Sequence, residues 1–274
     1  MCDAPILILS DTDHPPLHIA IEEGLRSAST KDGSSFLLIY VNRPCVMVGR
    51  NQDVLAEINH DRCRLSANPM AGAMAGMAGS PGTGVVGPAG LLGALPVFRR
   101  TSGGGAVYHD SGNLNWSFIA PGSLDRRAEL LELVVQALRD CGVPAMADQR
   151  LAIMADDHKL GGSAAAAGNG VLLFHGTVLV RTDLVALDHC LAAHQPGYAA
   201  TKAVRSVPGR VANATDFASA LTVWDLARAI ARRSSAQAER NWEAVLDSES
   251  VGLAADRYAM DDWIFRRNSA AGKG

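Results

Sequence analysis

Three short stretches carry residues whose types and spacing suit chemistry on a phosphate or a carbonyl. The first is Arg99-Arg100-Thr101-Ser102-Gly103-Gly104-Gly105-Ala106-Val107-Tyr108-His109-Asp110. Its adjacent glycines let the backbone approach a ligand closely, and the two arginines offer fixed donors to a phosphate. The second is Asp157-His158-Lys159-Leu160-Gly161-Gly162-Ser163-Ala164, in which a lysine opening a strand can reach a phosphate or carbonyl oxygen lying over the glycines. The third is Phe174-His175-Gly176-Thr177, a histidine inside the otherwise apolar run VLLFHGTVLV. Each also has a plain structural reading: a turn between strands, a solvated lysine, a hydrogen-bonded core histidine.

Familiar nucleotide motifs do not fit the glycine run. Tyr108 stands where a dinucleotide fingerprint needs its last glycine, and a strand pattern follows where that motif needs a helix. The Gly-Lys-Ser/Thr of a P-loop is absent, and His109 and His175 do not form a metal motif of the H-E-x-x-H kind.

The elements that must position these residues read as strands and helices in separate blocks. Apolar runs at Pro5 to Leu9, Phe36 to Val41 and Cys45 to Val48 predict strands, with a helix between the first two from Leu17, Ile21 and Leu25 behind Pro15 and Pro16. Strands follow at Pro96 to Arg99, Ala106 to His109 and Asn113 to Ala120. Leu130, Leu131, Val134, Val135 and Leu138 then form a helical stripe that Gly142 ends. Further strands are expected at Leu151 to Met154, Lys159 to Ala164 and Val171 to Val180, joined by tight turns that imply antiparallel pairing. Thr222 and Asp225 resemble a capping box ahead of a helix through Val223, Leu226, Ala227 and Ile230. This order predicts an α+β fold rather than a doubly wound sheet. Residues 66–95 are rich in Gly, Pro, Ala and Met and lack a stable period, so they read as an insertion in one catalytic domain spanning 1–274. Met70, Met74 and Met77 stand at helical spacing within it.

Composition excludes several classes. Of 274 residues 48% are apolar and 19% charged, a globular balance, and the net charge of −3 with scattered Lys and Arg gives non-specific nucleic-acid binding no electrostatic basis. No run of about 18 large apolar residues suggests a membrane span, and the N-terminus shows no basic leader. The five cysteines lack a C-x-x-C pair and fit a reducing compartment.

In combination the stretches resemble the lipoate-protein ligase A family, within the biotin and lipoate ligase fold group. The resemblance runs in order through SDTDHPPLHIAIEEGL, RPCVMVGRNQD, RRTSGGGAVYHDSGNLNWSF, DHKLGGSA, LFHGTVLV and KAVRSVPGRVAN, covering most of residues 5–215. It implies a mixed, largely antiparallel central sheet flanked by helices. It also implies a two-step reaction: lipoate, ATP and Mg2+ give lipoyl-AMP, and the acyl group passes to a lysine of a lipoyl domain. The acceptors would be lipoyl domains of 2-oxoacid dehydrogenase complexes or the glycine cleavage H protein, with no nucleic acid or membrane partner. By matching position, Lys159 would contact the phosphate and acyl oxygens and Arg100 the adenylate. Ser102 with Gly103, Gly104, Gly105 and Ala106 would border the acyl chain and adenylate. Tyr108, His109, Asn113, His175, Gly176 and Thr177 would complete the same binding site.

The chain also departs from that pattern. Gln149-Arg150-Leu151 stands where the family usually carries Asn-Asp-Leu, which reverses a charge beside the lysine, and Ala164 to Ala167 replace larger polar side chains. The sequence stops soon after Asp262-Trp263-Ile264-Phe265, so the family's accessory domain is expected on a separate polypeptide. A cysteine nucleophile is disfavoured, since none falls at the related octanoyltransferases' positions and Cys141 closes an apolar helix. The alternatives are a transferase using only preformed lipoyl-AMP or an octanoyl donor, or a non-catalytic acyl- or adenylate-binding protein. The expected location is the cytoplasm, or the mitochondrion in a eukaryote.

Overall fold

Residues 4–59, 63–64, 95–194, 205–207 and 209–266 are described by the computed structural model. In chain order the elements are β1 (Ile6–Leu9), α1 (Pro15–Asp32), β2 (Phe36–Val41), β3 (Cys45–Val48), α2 (Val54–Glu57), β4 (Cys63–Arg64), β5 (Leu95–Arg99), β6 (Val107–His109) and β7 (Asn113–Pro121). There follow α3 (Arg127–Asp140), β8 (Ala145–Ala147), β9 (Ile153–Ala155), β10 (His158–Gly161), β11 (Ser163–Gly168), β12 (Val171–Leu179) and α4 (Leu184–Cys190). The last described are α5 (Val223–Arg233), β13 (Gln237–Arg240), α6 (Ser248–Ala259) and α7 (Asp261–Ile264).

Period-two alternation sorts the central strands onto two faces. A six-stranded sheet runs β11-β12-β7-β2-β1-β13, with β11, β12, β7 and β2 antiparallel in sequence of pairing and β1 parallel to both β2 and β13. Leu37 and Ile39 of β2, with Leu114, Trp116 and Phe118 of β7, pack against α3 and α5 through Leu131, Val135, Leu226 and Ile230. Phe36 and Leu38 face the other way and pack with Ile21 and Leu25 of α1 and with the second sheet, β4-β5-β3-β6. A third sheet, β10-β9-β8, is antiparallel. The fold is the expected mixed, mostly antiparallel α+β arrangement.

Local signals explain the element ends. Pro15 and Pro16 occupy the first turn of α1, where their missing N–H groups have no helical acceptor to lose. Gly33 closes that helix at φ 76°, and Gly142 follows α3 at φ 84°. The Thr222–Asp225 capping box opens α5.

The expected strand over Lys159 to Ala164 is corrected to two. β10 pairs with β9, whereas β11 pairs with β12, and the chain changes sheets at Gly162. Consecutive glycines permit that bend, which periodicity does not reveal. The expected insertion at 66–95, Met70, Met74 and Met77 included, lies outside the described residues apart from Leu95, which opens β5.

Candidate active site

Register places a polar row on the face of the central sheet that looks toward α1. Thr177 of β12 pairs with Asn115 of β7, which pairs with Tyr40 of β2, and one register step away His175 pairs with Ser117. Thr177, Asn115, Tyr40 and His175, with His18, Ile19 and Glu22 of α1, form the floor of a cavity of about 470 Å³, and Ser117 lies buried behind them. The link between β5 and β6 supplies one wall through Gly104, Gly105 and Ala106, joined by Val107 and His109 of β6. The facing wall comes from Lys159 of β10, Gly162 and Ala164.

Lys159 is fixed by backbone on both sides. Its N–H donates to the Arg210 carbonyl at 2.7 Å, and its own carbonyl accepts from Ala212 N–H at 3.2 Å. The side chain folds over Gly162, where an added Cβ would lie 3.5 Å from both Cε and Nζ. Half-burial lowers the pKa of the ammonium, opposed by Asp148 and reinforced by Arg150. Among the described residues the ammonium has no hydrogen-bond or ion-pair partner.

The floor, by contrast, is a closed network. Glu22 of α1 is 1% exposed, and its Oε1 accepts from His175 Nδ1 at 2.8 Å, Ser117 Oγ at 2.5 Å and Tyr40 Oη at 3.3 Å. Burial alone would raise this carboxyl, but the facing His175 and the donated bonds more than offset it, leaving the pKa below the usual value. His175 Nε2 meets Ser102 Oγ at 2.6 Å, and that hydroxyl accepts from Arg100 Nε at 3.1 Å.

A second chain reaches the cavity's inner end. His18 bonds Ser10 through Nε2 at 2.9 Å and Asn42 Oδ1 through Nδ1 at 2.7 Å, and Asn42 Nδ2 donates to His109 Nδ1 at 2.9 Å. Burial holds the His18 pKa at about 4 and the His109 pKa at about 3, so both rings are neutral near pH 7. With Nδ1 of His109 accepting, its proton resides on Nε2, a buried donor that meets no partner among the described residues. That N–H is available to an acceptor on a ligand.

Arg99 and Arg100 require a correction as phosphate donors. Arg100 directs its guanidinium to Ser102 Oγ and to the carbonyls of Met47, Gly103 and Gly105, while Arg99 holds the carbonyls of Gly49, Arg50, Gln52 and Ile264. Arg100 lines the cavity, yet its donors shape the glycine turn rather than wait for an anion. Gly104 adopts φ 88°, and a Cβ there would come within 2.9 Å of Arg100 Nη2, so glycine is needed.

Ser102 and Gly103 lie behind the lining residues, holding Arg100 and His175. Tyr108 and Asn113 do not line the cavity and are likewise corrected. Tyr108 alternates away from Val107 and His109 into the apolar core, and Asn113 Nδ2 is taken up by the Tyr108 carbonyl at 2.9 Å. Gly176 and Thr177 do line it.

Sequence reasoning missed Glu22, Tyr40, Asn42, Asn115 and Ser206. Ser206 Oγ donates to Glu57 Oε2 at 2.5 Å and accepts from Gln52 Nε2 and from Ala106 N–H, pinning the glycine turn. Glu22 carried a weak signal: it shares a helical face with His18 and Leu25, an unusual place for a carboxylate.

No described cysteine lines the cavity. Burial raises the Cys45 thiol, while a hydrogen bond with Cys190 followed by burial raises that of Cys63, and Cys141 packs beside the α3–α5 core. Among the described residues no group of three His, Cys, Asp or Glu is arranged to hold a metal ion. The cavity's carboxylates are already engaged: Glu22 as above, Asp157 by Arg210 and His158, and Asp148 Oδ1 by backbone N–H groups. The described residues therefore do not fit a protein-built metal cage.

Comparison with known proteins gives a family match. A family described as the lipoyl protein ligase A/B catalytic domain matches residues 14–234. Lipoate–protein ligase 1 of Staphylococcus aureus is 29% identical over 262 residues, covering 93% of this chain and 71% of the relative. The lipoate-protein ligase LplJ of Bacillus subtilis is 34% identical over 208 residues, covering 74% of this chain and 54% of the relative. The chain thus spans about half the length of that relative. A crystal structure of P. falciparum LipL1 in complex with lipoate shares the fold, with a TM-score of 0.74 at 18% identity, covering 98% of this chain and 76% of that one.

Proposed function

Because the chain belongs to the lipoyl protein ligase A/B catalytic-domain family, we propose that it attaches lipoate, through lipoyl-AMP, to a lysine of lipoyl domains. One observation carries the reading: Lys159 and the Gly104–Gly105 turn line a single cavity, with a cation free of partners among the described residues. Lipoate would bond through a carboxylate oxygen to the α-phosphorus of ATP, and pyrophosphate would leave. The acceptor's amine would then bond the acyl carbon while AMP departs with the carbon–oxygen electron pair and the amine releases a proton.

Both steps move charge on phosphate oxygens beside Lys159, where a positioned ammonium stabilises the developing anion. The cavity, apolar at Ile19 and Met47, would shield an acyl chain there from water. His109 Nε2–H offers one oriented donor within it, and Ile19, Met47 and Val107 offer apolar surface to an acyl chain. Mg2+ enters this scheme only as a companion of ATP, and none of the residue roles depends on it. We place the acceptors among the lipoyl domains of 2-oxoacid dehydrogenase complexes and the glycine cleavage H protein, in the cytoplasm or, in a eukaryote, the mitochondrion. No described helix is long and apolar enough to cross a membrane.

The test is incubation with lipoate, Mg-ATP and an apo lipoyl domain, with and without a separate accessory-domain protein. The expected result is one lipoyl group added per acceptor domain, read by mass spectrometry. Absence of product in both arms, with synthetic lipoyl-AMP supporting transfer, would reassign the chain to the second step alone. No product from any donor would overturn the reading.

A further inference from the structure

The cation best placed to share the ligand's phosphate with Lys159 is one that the glycine-run motif does not contain. Arg150 lines the same cavity and lies close enough to Lys159 to act on its titration. Its guanidinium is exposed and has no hydrogen-bond or ion-pair partner among the described residues. Two other arginines of the cavity are engaged, Arg100 with the glycine turn and Arg210 with Asp157.

The loop presenting Arg150 is built to hold one shape. It links β8 to β9, and Asp148 Oδ1 accepts from the N–H groups of Arg150 at 2.8 Å and Ala152 at 2.7 Å. Asp148 N–H donates to the Ala152 carbonyl and Leu151 N–H to the Asp148 carbonyl, both at 3.0 Å. Ser163 Oγ closes the set by donating to the Leu151 carbonyl at 2.8 Å. Leu151 is held at φ 61°, a conformation that a leucine adopts only under surrounding constraint. Two cations facing one cavity repel each other, and a bound anion removes that repulsion.

We propose that Arg150 is the second phosphate ligand of the acyl-nucleotide donor and that its contribution grows as acyl transfer proceeds. When the acceptor amine bonds the acyl carbon and the carbon–oxygen bond to phosphate breaks, the phosphate keeps the electron pair and gains a full negative charge. A guanidinium beside it therefore binds the departing AMP more strongly than the intact donor, which accelerates the step. This inference rests on the lipoyl-AMP reading above and adds a residue to it.

The experiment compares wild type, Arg150→Ala and Arg150→Lys by calorimetric titration with AMP and with lipoate, and by single-turnover transfer from synthetic lipoyl-AMP to an apo lipoyl domain. Removing Arg150 is expected to weaken AMP binding and slow transfer by about ten- to a hundredfold, while lipoate affinity stays within about twofold. Arg150→Lys is expected to recover part of both losses. Equal AMP binding and transfer in Arg150→Ala, or a parallel loss of lipoate binding, would overturn the inference while leaving the family reading intact. Wild type binding neither lipoate nor lipoyl-AMP would instead overturn the underlying reading, and this inference with it. Arg150 is exposed, and an unchanged thermal midpoint checks that the variant folds.

Discussion

The floor and the rim of the cavity treat charge in opposite ways. On the floor, Glu22, His175, Ser102 and Arg100 form one continuous chain of hydrogen bonds, each joined to the next. On the rim, Lys159 and Arg150 line the same cavity, and neither side chain has a hydrogen-bond or ion-pair partner among the described residues, although Asp148 on the Arg150 loop acts on Lys159 from a distance. Burial accounts for the difference. A polar group left unpaired in the interior costs the full desolvation penalty, so the floor must be complete before any ligand arrives. Arg150 is exposed and stays hydrated, and Lys159 is only partly buried, so neither needs a partner before the ligand arrives. The floor thus fixes shape, and the rim recognises the ligand's charge.

The contrast is most severely tested on the floor. Glu22→Ala strips His175, Ser117 and Tyr40 of their shared acceptor, and urea unfolding should show a loss of about 3–5 kcal/mol. A loss below about 1 kcal/mol would show that the floor is not a closed network.

The rim should behave in reverse. Lys159→Ala is expected to lower lipoyl transfer on the order of 10²–10³-fold. Its unfolding free energy should stay within about 0.5 kcal/mol of wild type, since no bond is broken. Comparable stability losses in the two variants would erase the distinction between the regions.

Acid sharpens the comparison further. His18 and His109 have folded pKa values of about 4 and about 3, below the ordinary 6.5, so the unfolded chain binds their protons first as the pH falls. The stability these rings contribute is therefore complete above pH 6.5 and declines below it, by about 1.4 kcal/mol per pH unit for each ring, until about pH 4 for His18 and about pH 3 for His109. Glu22, whose pKa is depressed, adds its own loss only below the ordinary value of 4.5. His18→Gln should remove one ring's share, about 1.4 kcal/mol per pH unit, of the slope between pH 6.5 and 4.5 in urea melts, leaving the shares of His109 and of His14, whose pKa is also lowered. An unchanged slope would mean that His18 is not the buried neutral group described.

The smallest effect belongs far from both regions. Thr222→Ala removes the cap of α5 and should cost about 1 kcal/mol without altering transfer. A change in activity there would show that local stability, rather than the rim, limits the reaction.

Much of the scaffold was legible because its signals are local. The stripe of Leu131, Val135 and Leu138, the Thr222–Asp225 cap and the apolar runs of β2, β7 and β12 each declare themselves within a few residues. The split between β10 and β11 was hidden because consecutive glycines interrupt no hydrophobic pattern. Short β8 and the exposed β13 offered too little periodicity to read.

The site was legible only in part, for a different reason. Residue types announced Lys159, His175 and the glycine turn, but donors and acceptors are assigned in three dimensions. Nothing in Arg99-Arg100 reveals that backbone carbonyls already hold both guanidiniums. Tyr40, Asn42 and Asn115 sit in or beside apolar runs, and strand register alone brings Tyr40 and Asn115 into one row with Thr177.

The central claim is that acyl-nucleotide chemistry takes place between Lys159 and the glycine turn. A crystal structure with lipoyl-AMP, or with its non-hydrolysable sulfamoyl analogue, tests it most directly. The account predicts the phosphate or sulfonyl oxygens within hydrogen-bond reach of Lys159 Nζ and the acyl chain extending toward His109. A ligand bound outside this cavity, or with those oxygens on Arg100 and away from Lys159, would contradict it.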